Sequence, residues 1–118
     1  MVAKVGSMVH PWYKGNHEWK VEGIAKLNEP IQYHDLYQGK VSYDPKIVLL
    51  DSGKMGNALW FAYWISTAKT KDKMKWGQGS PVLEEDSLLH LLREAISQNF
   101  FTKDFLRKLS SELDKALV

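Results

Sequence analysis

The run Ile47-Val48-Leu49-Leu50 is four consecutive apolar residues set between Asp44-Pro45 and Asp51-Ser52-Gly53. A short continuous run bounded by turn residues is typical of a strand buried on both faces. Such a strand needs a core, and with no cysteine among the 118 residues, packing alone must supply it. The length fits one domain, residues 1–118. Composition agrees, because 44% hydrophobic with 25% charged residues excludes a wholly disordered chain.

Other strands precede the run. His17 to Leu27 alternates, with Trp19 and Val21 facing one way and Lys20 and Glu22 the other, and Gly23 marks a bulge. Pro30 interrupts it. Ile31–Tyr37 reads as a second extended piece, Gln38-Gly39 as a turn, and Lys40–Tyr43 as a third piece before the turn at Asp44-Pro45.

After the apolar run, Asp51-Ser52 offers a helix cap, and Met55 to Met74 is read as a helix ending before Gly77. The alternation Ala58, Trp60, Ala62, Trp64 also suits a strand. Length, the cap and the lysine-rich tail favour the helix. Ser80-Pro81 opens a further helix with Glu84, Glu85 and Asp86 at its positive end and Leu88, Leu91, Leu92, Ala95 and Ile96 as its apolar stripe. Thr102 caps the last helix, 102–117, with Phe101 and Leu106 as a hydrophobic staple. Its Leu106, Leu109, Leu113 and Ala116 follow seam spacing over two heptads, which serves either packing on the domain or a homodimer contact. The expectation is an α+β domain with a three- to four-stranded, mainly antiparallel sheet and about three helices.

The net charge of +2 conceals a division at Gly77. Residues 1–77 carry 11 lysines against 7 acids, and residues 78–118 carry 5 basic against 7 acidic side chains. Of the 14 aromatics, 11 also precede residue 78, so rings and positive charge share one part of the molecule. Single-strand binders need that pairing, because rings stack bases while ammonium groups neutralise phosphates. Two clusters qualify. One is Trp12, Tyr13, Lys14 and Trp19, which equally suits an arm anchored on the core. The other joins Lys54, Trp60, Tyr63 and Trp64 to Lys69, Lys71, Lys73, Lys75 and Trp76, with Phe61 and Trp64 expected to be mainly buried.

Enzyme readings are weaker. His10, His17, His34 and His90 lack the helical His-x-x-x-His spacing of a zinc site, and His34-Asp35 suits a surface loop. Asp51-Ser52-Gly53-Lys54 lacks the glycine spacing of a P-loop, though a strand-to-helix turn there would hold a phosphate. No cofactor, metal or catalysis is expected. With no signal-peptide pattern, no apolar stretch of membrane-spanning length and no Asn-x-Ser/Thr triplet, a soluble, cytoplasmic protein is expected.

The segment Gly56-Asn57-Ala58-Leu59-Trp60-Phe61-Ala62-Tyr63-Trp64, the lysines leading to Trp76 and the paired C-terminal helices together resemble the ThermoDBP family of small archaeal single-stranded nucleic-acid-binding proteins. The resemblance implies a non-OB sheet against helices, with an aromatic cleft for bases and a basic rim for phosphates. It would place Trp60 and Trp64 in or under the cleft and Lys69, Lys71, Lys73 and Lys75 at its edge. The missing RNA-recognition signature and the two final helices agree with a fold distinct from that motif and from an OB barrel. The expected partner is single-stranded DNA or RNA. A protein-interaction module and a nucleotide-binding enzyme are the rival readings.

Overall fold

The computed structural model describes residues 4–11, 18–53, 56–71, 73–77 and 81–118, with the backbone alone of Trp76. Six strands are present among them: β1 Met8–Val9, β2 Trp19–Lys26, β3 Ile31–Asp35, β4 Gly39–Asp51, β5 Asn57–Ser66 and β6 Lys75–Trp76. Two helices follow, α1 Glu85–Ser97 and α2 Lys103–Ala116. The α+β class is as expected; the described strands exceed the expected number and the helices fall short of it.

All strand pairs are antiparallel in the order β1-β2-β4-β5-β6, and β3 pairs with the first half of β4 beyond the end of β2. Two of the expected strands are one. β4 runs straight through Asp44-Pro45, where the sequence predicts a turn. Residues 44 and 45 have Cα partners in β5, Trp64 and Tyr63, but none in β2 or β3, because 27–30 separate those strands. Proline is tolerated where one side of a strand lacks a neighbour. The turn before β4 follows from Asp35, whose carboxylate accepts the N–H groups of Tyr37 and Gln38, both at 2.8 Å. His34 therefore stands on strand β3 and not in a loop.

The larger correction concerns Met55–Met74. The expected helix is strand β5, a single 3₁₀ turn at Ala68–Thr70, and the short strand β6. Asp51 and Ser52 make a hairpin turn in place of a helix cap. The Gly53 N–H donates to Asp51 Oδ1 at 2.8 Å, the Ser52 N–H donates to Gly56 O at 3.3 Å, and both glycines have positive φ. Closed this way, ten residues of β5 pair with β4, and aromatic-rich sequence suits a pleated surface. The element that follows this turn is strand β5 and not a helix, so the expected helix-end phosphate site does not form.

The sheet has a core on each face. On one, Trp19, Val21, Val48, Leu50, Ala62 and Trp64 pack together with Val9 from β1. On the other, Ala25 and Ile47 meet Leu91, Ala95 and Phe100. Ile47, Val48 and Leu50 are thus sealed on alternating sides, as the apolar run predicts. The register shift between Val21 and Gly23 is the predicted bulge. At Gly23 an added Cβ would lie 2.6 Å from the Phe100 ring. Gly23→Ala is therefore expected to cost about 1–3 kcal/mol, read as a lower midpoint in denaturant at unchanged slope.

Helix α1 begins later than Ser80-Pro81 predicts, with Glu84 at the cap position; Ser80 lies outside the described residues. Leu91 and Ala95 are its buried residues, and Ile96 is exposed. Thr102 caps α2 as predicted, its hydroxyl accepting the Phe105 N–H at 3.1 Å. Phe101 stacks on Phe105 with ring centroids 5.1 Å apart. Helix α2 buries no residue, so the seam of Leu106, Leu109, Leu113 and Ala116 is not absorbed by the chain's own core.

Candidate functional site

The strand at β5 decides which aromatics can meet a ligand, because successive side chains point to opposite faces. Trp60, Ala62 and Trp64 share the face of Trp19. Trp19 and Trp64 are 1% and 0% exposed and form the core there. Lys46 closes over Trp64, with its ammonium 5.1 Å from the ring and 2.7 Å from Asp44. A base reaches neither ring: Trp64 is buried as expected, Trp19 takes the alternative role of a core anchor, and neither serves as a stacking platform. Trp60 is half-buried and lines a recess of about 370 Å³ with Pro11, Leu50, Ala58 and Leu59. Trp12, Tyr13, Lys14 and Lys54 lie outside the described residues, as does the side chain of Trp76.

The opposite face of β5 is partly exposed. There Leu59, Phe61, Tyr63 and Ile65 lie across from Leu49, Ile47, Pro45 and Tyr43 of β4. Helix α1 packs mainly against β2 and β4. Leu59 is 36% and Phe61 42% exposed, contrary to the expected burial of Phe61.

Farther along this face lies a groove of about 760 Å³, within the size range of small-ligand clefts, lined by Tyr33, Tyr43, Tyr63, Ile31, Ile65 and Leu83 among others. Its polar lining comes from Asp35, Gln38, Glu84 and Ser87. The Tyr43 and Tyr63 rings are 4.9 Å apart and tilted by 35°. The Tyr43 hydroxyl accepts the Val82 N–H at 2.9 Å, tying the segment before α1 to the sheet. Burial raises the Tyr43 phenol above its ordinary value, the hydrogen bond from Val82 opposes this, and the nearby phenols of Tyr63 and Tyr33 add to the rise. It stays protonated at neutral pH.

Tyr63 keeps its place through Gly77. The Gly77 N–H donates to Tyr63 O at 2.8 Å, and a Cβ on Gly77 would lie 1.7 Å from the Tyr63 ring. The ring occupies the space a side chain would need. Lys75, one residue from Trp76 on β6, pairs with Ile65, and directly opposite residues share a face, so this exposed lysine stands at the rim of the groove. Lys69, Lys71 and Lys73 are also exposed, on the connection that leads to it.

No family model, curated protein or solved structure matches this chain.

Of the residues singled out in the sequence, Tyr63 lines the groove and Lys75 pairs with Ile65, which also lines it. Phe61, Tyr33, Tyr43 and Glu84 were missed as site residues. The odd-numbered half of the β5 alternation was the available signal for Phe61. Nothing local marks Tyr33 or Glu84, which come to one groove from β3 and from the start of α1.

Proposed function

We propose that the chain is a non-catalytic binder of single-stranded DNA, or of RNA, that receives bases on the open face of β5 and phosphates along its lysines. One observation carries this reading: Phe61 and Tyr63 share one face of β5, and Lys69, Lys71, Lys73 and Lys75, all exposed, lie on the segment that follows that strand and returns to pair with it. Flat rings take bases of any sequence, and flanking ammonium groups offset the charged backbone. The meander order of the described strands supports a scaffold other than an OB barrel, which is a Greek-key closure. A cytoplasmic location suits such a ligand.

Fluorescence anisotropy with labelled dT and rU oligomers of increasing length tests it. Affinity is expected to grow with length, and with about four lysine contacts log K should fall against log salt with a slope near about −3. A mononucleotide that binds as tightly as the oligomers would instead support the nucleotide-binding reading. A flat salt response would support a protein interface.

A second reading rests on α2. Its leucine seam is open, with Leu113 55% exposed, and a second copy of the chain would cover it. Leu109→Lys is expected to convert a dimer in sedimentation equilibrium to monomer. A wild-type chain that is monomeric at all concentrations tested would remove this part of the proposal and leave strand binding standing.

A further inference from the structure

Among the described residues, Asp35 and Glu84 are the charged residues that line the tyrosine groove, and both are acidic. A phosphate is repelled there. An organic group with N–H donors is favoured, provided it is flat enough to lie against the rings. We infer that the groove selects a base by its N–H donors, with guanine preferred over thymine and uracil and Glu84 as the residue that reads the difference. The inference rests on the single-strand reading above and names what that site distinguishes.

The two carboxylates are not equivalent. Asp35 holds the β3–β4 turn by accepting two backbone N–H groups. Glu84 occupies the cap position of α1 but makes no capping hydrogen bond through its side chain, so its carboxylate is not spent on the helix. A carboxylate offers two acceptor oxygens side by side. Guanine matches them with adjacent N–H donors on its pairing edge, one from the ring and one from the amino group. Thymine and uracil flank a single ring N–H with two carbonyl oxygens, which a carboxylate repels. Charge-assisted hydrogen bonds in a partly enclosed groove are the strong ones. Ile31, Ile65, Val82 and Leu83 supply apolar surface beside the rings. Gly77 leaves room for the Tyr63 ring, which lies where a side chain at 77 would otherwise stand. The lysine rim at Lys75 would keep the adjoining phosphate outside the acidic interior.

The test compares an oligothymidine of about twelve nucleotides, long enough for a typical single-strand site, with the same oligomer carrying one central guanine. Wild-type protein is expected to bind the guanine oligomer about tenfold more tightly, the discrimination a paired base contact typically gives. Glu84→Gln should bring the two affinities within about twofold, because an amide accepts and donates and so serves either base. Affinity for oligothymidine itself should rise in the variant, because the carboxylate that repels the thymine carbonyls is gone, and a thermal melt matching wild type confirms that α1 is intact. Equal binding of the two oligomers by wild type would overturn the guanine preference while leaving single-strand binding in place. A preference that survives in Glu84→Gln would overturn the role of Glu84. Failure of both oligomers to bind would instead sink the single-strand reading. Tighter binding of an oligo-arginine peptide than of either oligomer would overturn the proposal in favour of a cationic protein ligand.

Discussion

Trp64→Ala is expected to lower the stability of the chain by about 3–5 kcal/mol, the range for removing a fully buried aromatic. Trp64 is wholly enclosed in the core it shares with Trp19, Val21, Val48 and Leu50. Its removal leaves a cavity beneath Lys46 and withdraws the ring that faces the buried ammonium group. The Lys46–Asp44 pair would then border a void, and a partly unsupported buried charge adds to the cost. Against a total stability of about 5–15 kcal/mol, a loss of that size is a large fraction. Thermal melts followed by circular dichroism should show a fall in Tm of more than about 10 °C. A melt within about 3 °C of wild type would mean that this face of the sheet is not a core.

Phe61→Ala should do the reverse, and with Tyr63→Ala it gives the largest expected effect on binding. Each ring that stacks a base contributes about 1–3 kcal/mol, so each single substitution should weaken an oligonucleotide by about five- to 150-fold. The cost to folding at position 61 is expected to be small, because that side chain is already 42% exposed. Tyr63 packs on Gly77 and against Tyr43, so its substitution will also lower stability, and Phe61→Ala is the cleaner test. Anisotropy titration of the two variants beside wild type, each checked by its melt, separates lost binding from lost folding. Unchanged affinity in both variants would remove the open face of β5 from the proposal.

These expectations contrast four neighbours on one strand. Trp60 and Trp64 were singled out because they share a face, and they share it on a strand as they would on a helix, since four residues is an even step in one and about one turn in the other. Spacing alone therefore could not separate the two structures. The odd positions were the informative ones. On a helix Phe61 and Tyr63 have no common face opposed to Trp60 and Trp64; on a strand they must. The hairpin at Gly53 and Gly56 settled the matter, and either glycine could equally have followed a helix cap when judged by residue type alone.

Local chemistry was legible where it was self-contained. Thr102 capping α2 involves residues three apart, the Gly23 bulge lies within one strand pair, and the apolar run at 47–50 carries its own burial pattern. The lysines at 69, 71, 73 and 75 were also readable as exposed, because a run of lysines seldom finds another place.

The sequence by itself determined that a buried strand lies at 47–50, that two amphipathic helices close the chain, and that rings and positive charge concentrate before Gly77. Only the tertiary structure decided which rings face water. Burial of an aromatic depends on what packs over it, and at Trp64 that is Lys46 from the neighbouring strand, while Phe61 on the other face is left 42% exposed. The groove joins Tyr33, Tyr43, Tyr63 and Glu84 across as many as 51 positions of sequence, from Tyr33 to Glu84. Contacts of that separation leave no periodic trace in the chain, because they exist only once the strands have paired and α1 has docked on them.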